Sequence, residues 1–456
     1  MDEQEFEQEK LGKLIFKYGF PGIIGMFVLS LYMMIDGVFV GRGVGSEGLA
    51  AVNIAMPYIN IINAVGFMLL IGGATYTAVE LGKKQNEEAN KYFSIASLCS
   101  VTSGMFFCIV TFLFANEIAL LLGANTEIIV MVTTYMKVMS ISFIVIFCNV
   151  VFEQGNRISG NPHIPMVGLI VSSLTNIFLD YLFIMVFGWG LLGAGSATII
   201  GQFMGLIINA TVYIKKNSVL KLSFIKPEWG KLKIIIYNGS SEFLNTIAAA
   251  IVLIIFNYVF MKRYGSLGVA AYGVVGYLTI ILYAIAIGLS EGIQPIISYN
   301  KGAGRNDRIR KSIKISNIFL TVIAFVVTLS IWVFGREIVM LFIPHEPELI
   351  EITIEGAKLY SLAYIPLAIN IMMSGTFTAI GKAKESLIIA FSHSLFFVVI
   401  GLWLLPKIFG EQGIWLSVPF AEVITIFISV SLYWKLMYGE KSIENKIADM
   451  DNGGNI

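Results

Sequence analysis

Charged residues are scarce in this chain of 456. Lys, Arg, Asp and Glu make up 13% of it, about half the usual share, against 57% hydrophobic residues and a mean hydropathy of +0.80. That balance excludes a soluble domain and implies a polytopic membrane protein. Three cysteines, Cys99, Cys108 and Cys148, all fall inside apolar runs, which speaks against a disulfide framework or a metal site. Three histidines and six aspartates supply no HExxH helix, and no GxxxxGK[ST] segment occurs, so neither a membrane-embedded enzyme nor ATP-driven transport by this chain is supported. A net charge of +1 gives nucleic acid nothing to bind. The opening MDEQEFEQEKLGK is polar and lacks the layout of a cleaved signal, so the first span is expected to be retained.

What is abundant is long apolar runs. A hydrocarbon core about 30 Å thick needs about 20 apolar residues per helix. Twelve runs fit, near 14–40, 49–80, 92–115, 127–152, 164–187, 191–214, 233–261, 267–299, 313–335, 348–373, 384–405 and 414–437. With a cytoplasmic N-terminus, 24 of the 31 Lys and Arg fall inside, many of them in 215–233 and 301–314, which places both termini in the cytoplasm.

A shift of 220 residues lays "GSEGLAA" (45–51) on "GSLGVAA" (265–271), Gly72 on Gly292, Gly82 on Gly302, Asn86 on Asn306, Gly190 on Gly410 and Gly193 on Gly413; Gly160 meets Gly381 one residue out of step. The expected fold is therefore all-α: twelve transmembrane helices in two six-helix bundles related by a pseudo-two-fold axis along the membrane normal, with a cleft between them. Residues 1–214 form the N-terminal lobe in this reading, 215–232 a cytoplasmic linker loop, 233–437 the C-terminal lobe and 438–456 a cytoplasmic tail.

Of the six aspartates only Asp36 and Asp180 lie within spans. At 1.5 Å per residue, Asp36 sits about 6 Å below the outer end of the first span, and Asp180 and Thr198 about 10 Å below the outer ends of the fifth and sixth. Asn176 is one turn from Asp180 on the same face. The repeat puts Phe256, Phe396, Ile400 and Val418 opposite Asp36, Asn176, Asp180 and Thr198, so one half is polar at this level and the other greasy. An ionisable group there costs roughly 2.5–3.5 kcal/mol by insertion scales. Two carboxylates so placed should share a proton or hold a cation between them; as structural groups, each would instead accept interhelical hydrogen bonds. Glu242 and Glu291, in the inner halves of spans seven and eight, can attract a cationic substrate, carry protons, or face a wet vestibule. Glu422 shares a packing role with its repeat partner Gln202, and His393 reads as a core histidine. Glu153, at the end of span four, is explained by solvation. Pro21 removes a backbone hydrogen bond from the first span and invites a kink four turns from Asp36.

"GNPHIPMVGLIVSSLTNIFLDYLFI" (160–184) with "GAGSATIIGQ" (193–202), "GLSEGIQPIISYNKGAGR" (288–305), and Pro21 fifteen residues before Asp36 resemble the multidrug and toxic compound extrusion (MATE) transporters, within them the MepA-like branch, over nearly the whole chain. The resemblance implies that Asp36, Asn176, Asp180 and Thr198 bind the coupling H+ or Na+, with Na+ at Asp36 and Asp180, and that the Pro21 helix bends as they do so. Glu242 falls near the family's seventh-helix acid, and the fourth-helix amide corresponds to Gln154 or Asn156. The expected activity is cation-coupled antiport of organic, often cationic compounds by alternating access, in a bacterial cell membrane, by a monomer that needs no cofactor beyond the ion. Its partners are small organic substrates and membrane lipid, with no nucleic acid. A flippase for a lipid-linked saccharide on the same architecture is the alternative.

Overall fold

The computed structural model describes residues 4–214, 220–223, 228–342 and 346–452; of the expected linker loop, 215–219 and 224–227 lie outside the described residues, as do 453–456 of the expected tail. Every regular element among the described residues is a helix. This follows from the composition, because a chain in lipid must satisfy its backbone polar groups within each segment. The spans are Leu11–Gly43, Ser46–Gly82, Asn86–Leu121, Ile129–Ile158, His163–Val186, Gly190–Tyr213, Trp229–Gly265, Leu267–Gly302, Asn306–Met340, the pair Pro347–Ser361 and Tyr364–Ala379, Ala383–Phe409 and Gln412–Leu436. They are called first to twelfth below. The tenth differs from the single run expected at 348–373: it bends by 47° and reaches Ala379. Pro366 explains the break, since its ring excludes a helical carbonyl four residues earlier, at Leu362.

The internal repeat is written into the backbone. Gly45 and Gly265, Gly190 and Gly410, and Lys84 and Gly304 all take positive φ and all stand 220 apart. Phe114 and Phe334, also 220 apart, carry the same non-helical kink, at φ −113° and −112°. Gly160 and Gly381, both at positive φ, keep the one-residue slip. Two six-helix bundles of the same design result.

The contacts that join the bundles gather toward the face carrying the termini, and they are backbone on backbone. A Cβ on Gly288 would stand 2.6 Å from the carbonyl oxygen of Gly22 and 2.7 Å from Ile23 Cα, and one on Gly292 would stand 2.5 Å from the Tyr18 carbonyl oxygen. Gly72 packs against Ile235 and Gly239, and Gly82 meets Tyr299 while Gly302 meets Val79. Under the 220-residue shift the Gly72–Gly239 contact becomes Gly292–Gly19, and Gly82–Gly302 maps on itself, as a two-fold axis through the seam requires. Away from this face the first span parts from its neighbours: its buried residues run from Leu14 to Gly25, with Val40 the one exception. The cleft thus opens toward the face opposite the termini.

Two segments strap the closed side. The short helix Gln4–Gln8 places Phe6, 1% exposed, between Tyr18 of the first span and Tyr299 of the eighth, with ring centroids 5.3 and 5.0 Å away. Glu7 accepts a hydrogen bond from the Tyr299 hydroxyl at 3.3 Å and pairs with Arg305 at 3.5 Å. In the linker, the Lys221 and Ser223 N–H groups donate to Asn90 Oδ1 and Ser94 Oγ on the third span.

Candidate functional site

Asp36 and Asp180 meet. The first span carries Asp36 to the inner wall of the N-terminal bundle, where its carboxyl group comes within hydrogen-bonding reach of that of Asp180 on the fifth span. Asp180 is fully buried, and Asn176, one turn earlier, is 2% exposed. Asn176 Nδ2 donates to Thr198 Oγ1 at 3.3 Å, which ties the sixth span into the cluster. All four residues singled out in the sequence therefore share one site.

The polar bookkeeping of the cluster is incomplete. Both carboxylate oxygens of Asp180 and the Oδ1 of Asn176 are buried without a donor. A carboxylate has no hydrogen to give another carboxylate, so two facing acceptors need a proton or a cation between them. The donor set is entirely oxygen, which suits H+ or a hard cation such as Na+. Immediately after Asp180 the helix widens into a π-turn, Tyr181–Val186, a departure from α-geometry common where a helix is shaped for a ligand.

Two tyrosines complete the site and were missed in the sequence. Tyr32 lies one turn before Asp36, close to Thr198; it and the buried Tyr135 of the fourth span stand within electrostatic reach of both aspartates. Spacing of four from Asp36 was a usable signal for Tyr32; nothing local marks Tyr135. At the equivalent level of the other bundle, Phe256 stacks on Tyr272 at 4.9 Å and Phe260 meets Trp415 with rings tilted, 4.5 Å between centroids, so that wall is aromatic.

The remaining candidates separate. Glu291 lies at the seam, where Arg157 of the fourth span reaches it at 3.2 Å while also pairing with Glu153 at 2.6 Å. This three-membered clasp links the bundles, and it replaces solvation as the account of Glu153. The spacing of four between Glu153 and Arg157 was the overlooked clue. Pro21 lines the same small cavity as this pair, and its neighbour Gly22 is the residue that packs on Gly288. The first-span helix runs through Pro21 without a break. Glu242 is half-buried, within electrostatic reach of Glu291 and His393. Of the two amides, Asn156 is fully buried and donates to the Asn209 carbonyl at 2.9 Å, a bond inside the bundle, while Gln154 is buried beside Glu153.

Comparison with known proteins follows the same outline. The MatE family model matches residues 21–182 and 242–403, one copy in each bundle. The multidrug export protein MepA of Staphylococcus haemolyticus is 26% identical over 441 residues, 95% of this chain and 96% of the relative. Among solved structures, a MATE transporter in complex with MaD3S aligns at a TM-score of 0.90 with 22% identity, covering 97% of this chain and 99% of the other. A multidrug resistance MATE family transporter in an outward-facing conformation aligns at 0.89 with 21% identity, covering 96% and 98%.

Proposed function

Because the chain belongs to the MATE family, we propose that it is an exporter of small organic, often cationic compounds from a bacterial cell, driven by the inward movement of H+ or Na+ through alternating access. The observation that carries this reading is the Asp36–Asp180 pair, Asp180 fully buried with both oxygens donorless, set on the bundle wall beside the open side of the cleft. With both termini in the cytoplasm, the open side faces outward.

The chain's own residues suggest the sequence of events. A positive ion arriving from outside settles between Asp36 and Asp180, where Asn176 and Thr198 complete the oxygen set, and cancels the repulsion between the carboxylates. The first span then has a different preferred packing, and its Pro21–Gly22 segment lies where that span meets the eighth. Opening the seam breaks the Arg157–Glu291 pair and frees Glu291 and Glu242 to attract an organic cation from the cytoplasm. An ion can shift this equilibrium only by as much as its affinity differs between the two states. Nothing favours the lipid-linked saccharide alternative: the cations that bridge the bundles are already held by carboxylates, Arg157 by Glu153 and Glu291 and Lys231 by Glu88.

The test is efflux of a fluorescent organic cation from everted vesicles, driven in turn by a pH gradient and by a Na+ gradient. Asp36→Asn and Asp180→Asn should lower gradient-driven efflux by about 5–150-fold, the range of a coupling free energy of about 1–3 kcal/mol. Both variants should melt no lower than the parent, because an amide supplies the missing donor. Wild-type efflux by both at equal expression would end this reading.

A further inference from the structure

The C-terminal bundle holds a second buried acid–base pair that the cycle above does not use. His393 Nδ1 lies 3.2 Å from Glu422 Oε1, and the two residues are 6% and 1% exposed. Asn370 Nδ2 donates to Glu422 Oε2 at 2.7 Å, and Ser429 Oγ donates to Asn370 Oδ1 at 2.9 Å. The repeat gives this network a built-in control. In the N-terminal bundle, Asn149, Gln202 and Asn209 occupy the places of Asn370, Glu422 and Ser429 and make the same ties without charge: Asn149 Nδ2 donates to Gln202 Oε1 at 3.1 Å, and Asn209 Nδ2 to Asn149 Oδ1 at 2.8 Å. A neutral amide is therefore sufficient to pin these helices. The carboxylate of Glu422 and the imidazole of His393, where the other half has Ser172 and Ser173, are additions that packing does not require.

Two further observations point outward from the pair. His393 Nε2 is buried with no partner. It stands on the π-turn Ser392–Phe396, as Asp180 stands at the start of one in the other bundle. Within electrostatic reach of the pair are Glu242 of the seventh span, Tyr283 of the eighth and Tyr360 of the tenth. Glu242 is half-buried and within electrostatic reach of both His393 and the seam residue Glu291.

We propose that His393 and Glu422 form a second proton-binding site, loaded from the cleft by way of Glu242. In the empty state Nδ1–H donates to the Glu422 carboxylate and Nε2 carries a free lone pair. A proton held as the O–H of Glu242 leaves that oxygen, directly or through water, and forms the Nε2–H bond. Glu242 returns to carboxylate, and the imidazolium is held against Glu422. Imidazole is the side chain suited to such exchange between pH 5 and 8. An organic cation at Glu242 is repelled by the imidazolium, so its binding sends the proton of the pair back out to solvent by way of Glu242, which links substrate binding to proton release.

This inference rests on the proton-driven reading of export. The measurement is proton release from the purified full chain when ethidium is added in weakly buffered solution, read with a pH-sensitive dye. Binding is linked reciprocally, so about two protons should leave the parent protein per cation bound, and about one should leave His393→Gln, Glu422→Gln or Asp36→Asn. Glu422→Gln recreates the chemistry of Gln202 and should keep the parent's melting temperature, so it carries the test if His393→Gln folds poorly. Parental release by both C-terminal variants, with loss in Asp36→Asn, would overturn the second site and leave the Asp36–Asp180 reading standing. No release from the parent, with efflux driven by Na+ alone, would overturn the second site and assign Asp36–Asp180 to Na+.

Discussion

The seam between the bundles can be tested by one methyl group. Gly288→Ala places a Cβ 2.6 Å from the carbonyl oxygen of Gly22 and 2.7 Å from Gly22 C and Ile23 Cα. Ordinary contact begins at 3.4 Å, so the first and eighth spans must part by roughly 0.8 Å at this point. All three neighbours are backbone atoms, and no rotamer change relieves the overlap. Overpacking of this kind costs about 1–3 kcal/mol. The cost falls on the closed seam alone, because separated bundles leave the methyl free. The ratio of the form closed at the terminal face to the form open there should therefore fall by about 5–150-fold. The assay is a pair of spin labels across the seam near the termini, with a second pair across the opposite mouth, in the purified chain. The first distance should lengthen and the second shorten. Gly276→Ala on the same span is the control, since nothing lies within 4 Å of its Cβ. Unchanged distances in Gly288→Ala, or equal changes in Gly276→Ala, would refute the argument that close glycine packing holds this face shut.

Two other perturbations act on the same face. Arg157→Gln leaves Glu153 and Glu291 facing each other without a cation, at a cost of about 1–3 kcal/mol once their partial exposure is allowed for, and should raise thiol labelling of a cysteine placed near Gly302; unaltered labelling would show that the clasp holds nothing. Phe6→Ala removes the ring buried between Tyr18 and Tyr299, so hydrogen exchange over residues 4–10 should rise toward that of a free chain while the melting temperature of the bundles barely moves; retained protection would refute the strap.

Much of this was legible along the chain. The membrane class, the spans and the duplicated halves follow from composition and from a 220-residue periodicity of glycines, because a glycine forced to positive φ, such as Gly45 or Gly265, marks the same bend in both copies. The polar level formed by Asp36, Asn176, Asp180 and Thr198 was legible too, since rise per residue fixes depth and only one bundle places acids there. Depth and spacing along one helix are local quantities, and a sequence states them directly.

Rotation of each helix about its own axis is not local; it is set by packing against five or more neighbours at once. Only the tertiary structure decided that Asp36 turns toward Asp180 with Tyr32 and Tyr135 beside them, that Arg157 spans the seam to claim Glu291, and that Glu422 finds His393. It also decided which side of the cleft is shut, because the glycines that close it, from Gly19 to Gly302, act through backbone contacts between segments hundreds of residues apart. The sequence supplied the ionisable groups and their depths; burial in a low-dielectric interior, where an unpartnered charge is costly, determined which of them had to meet.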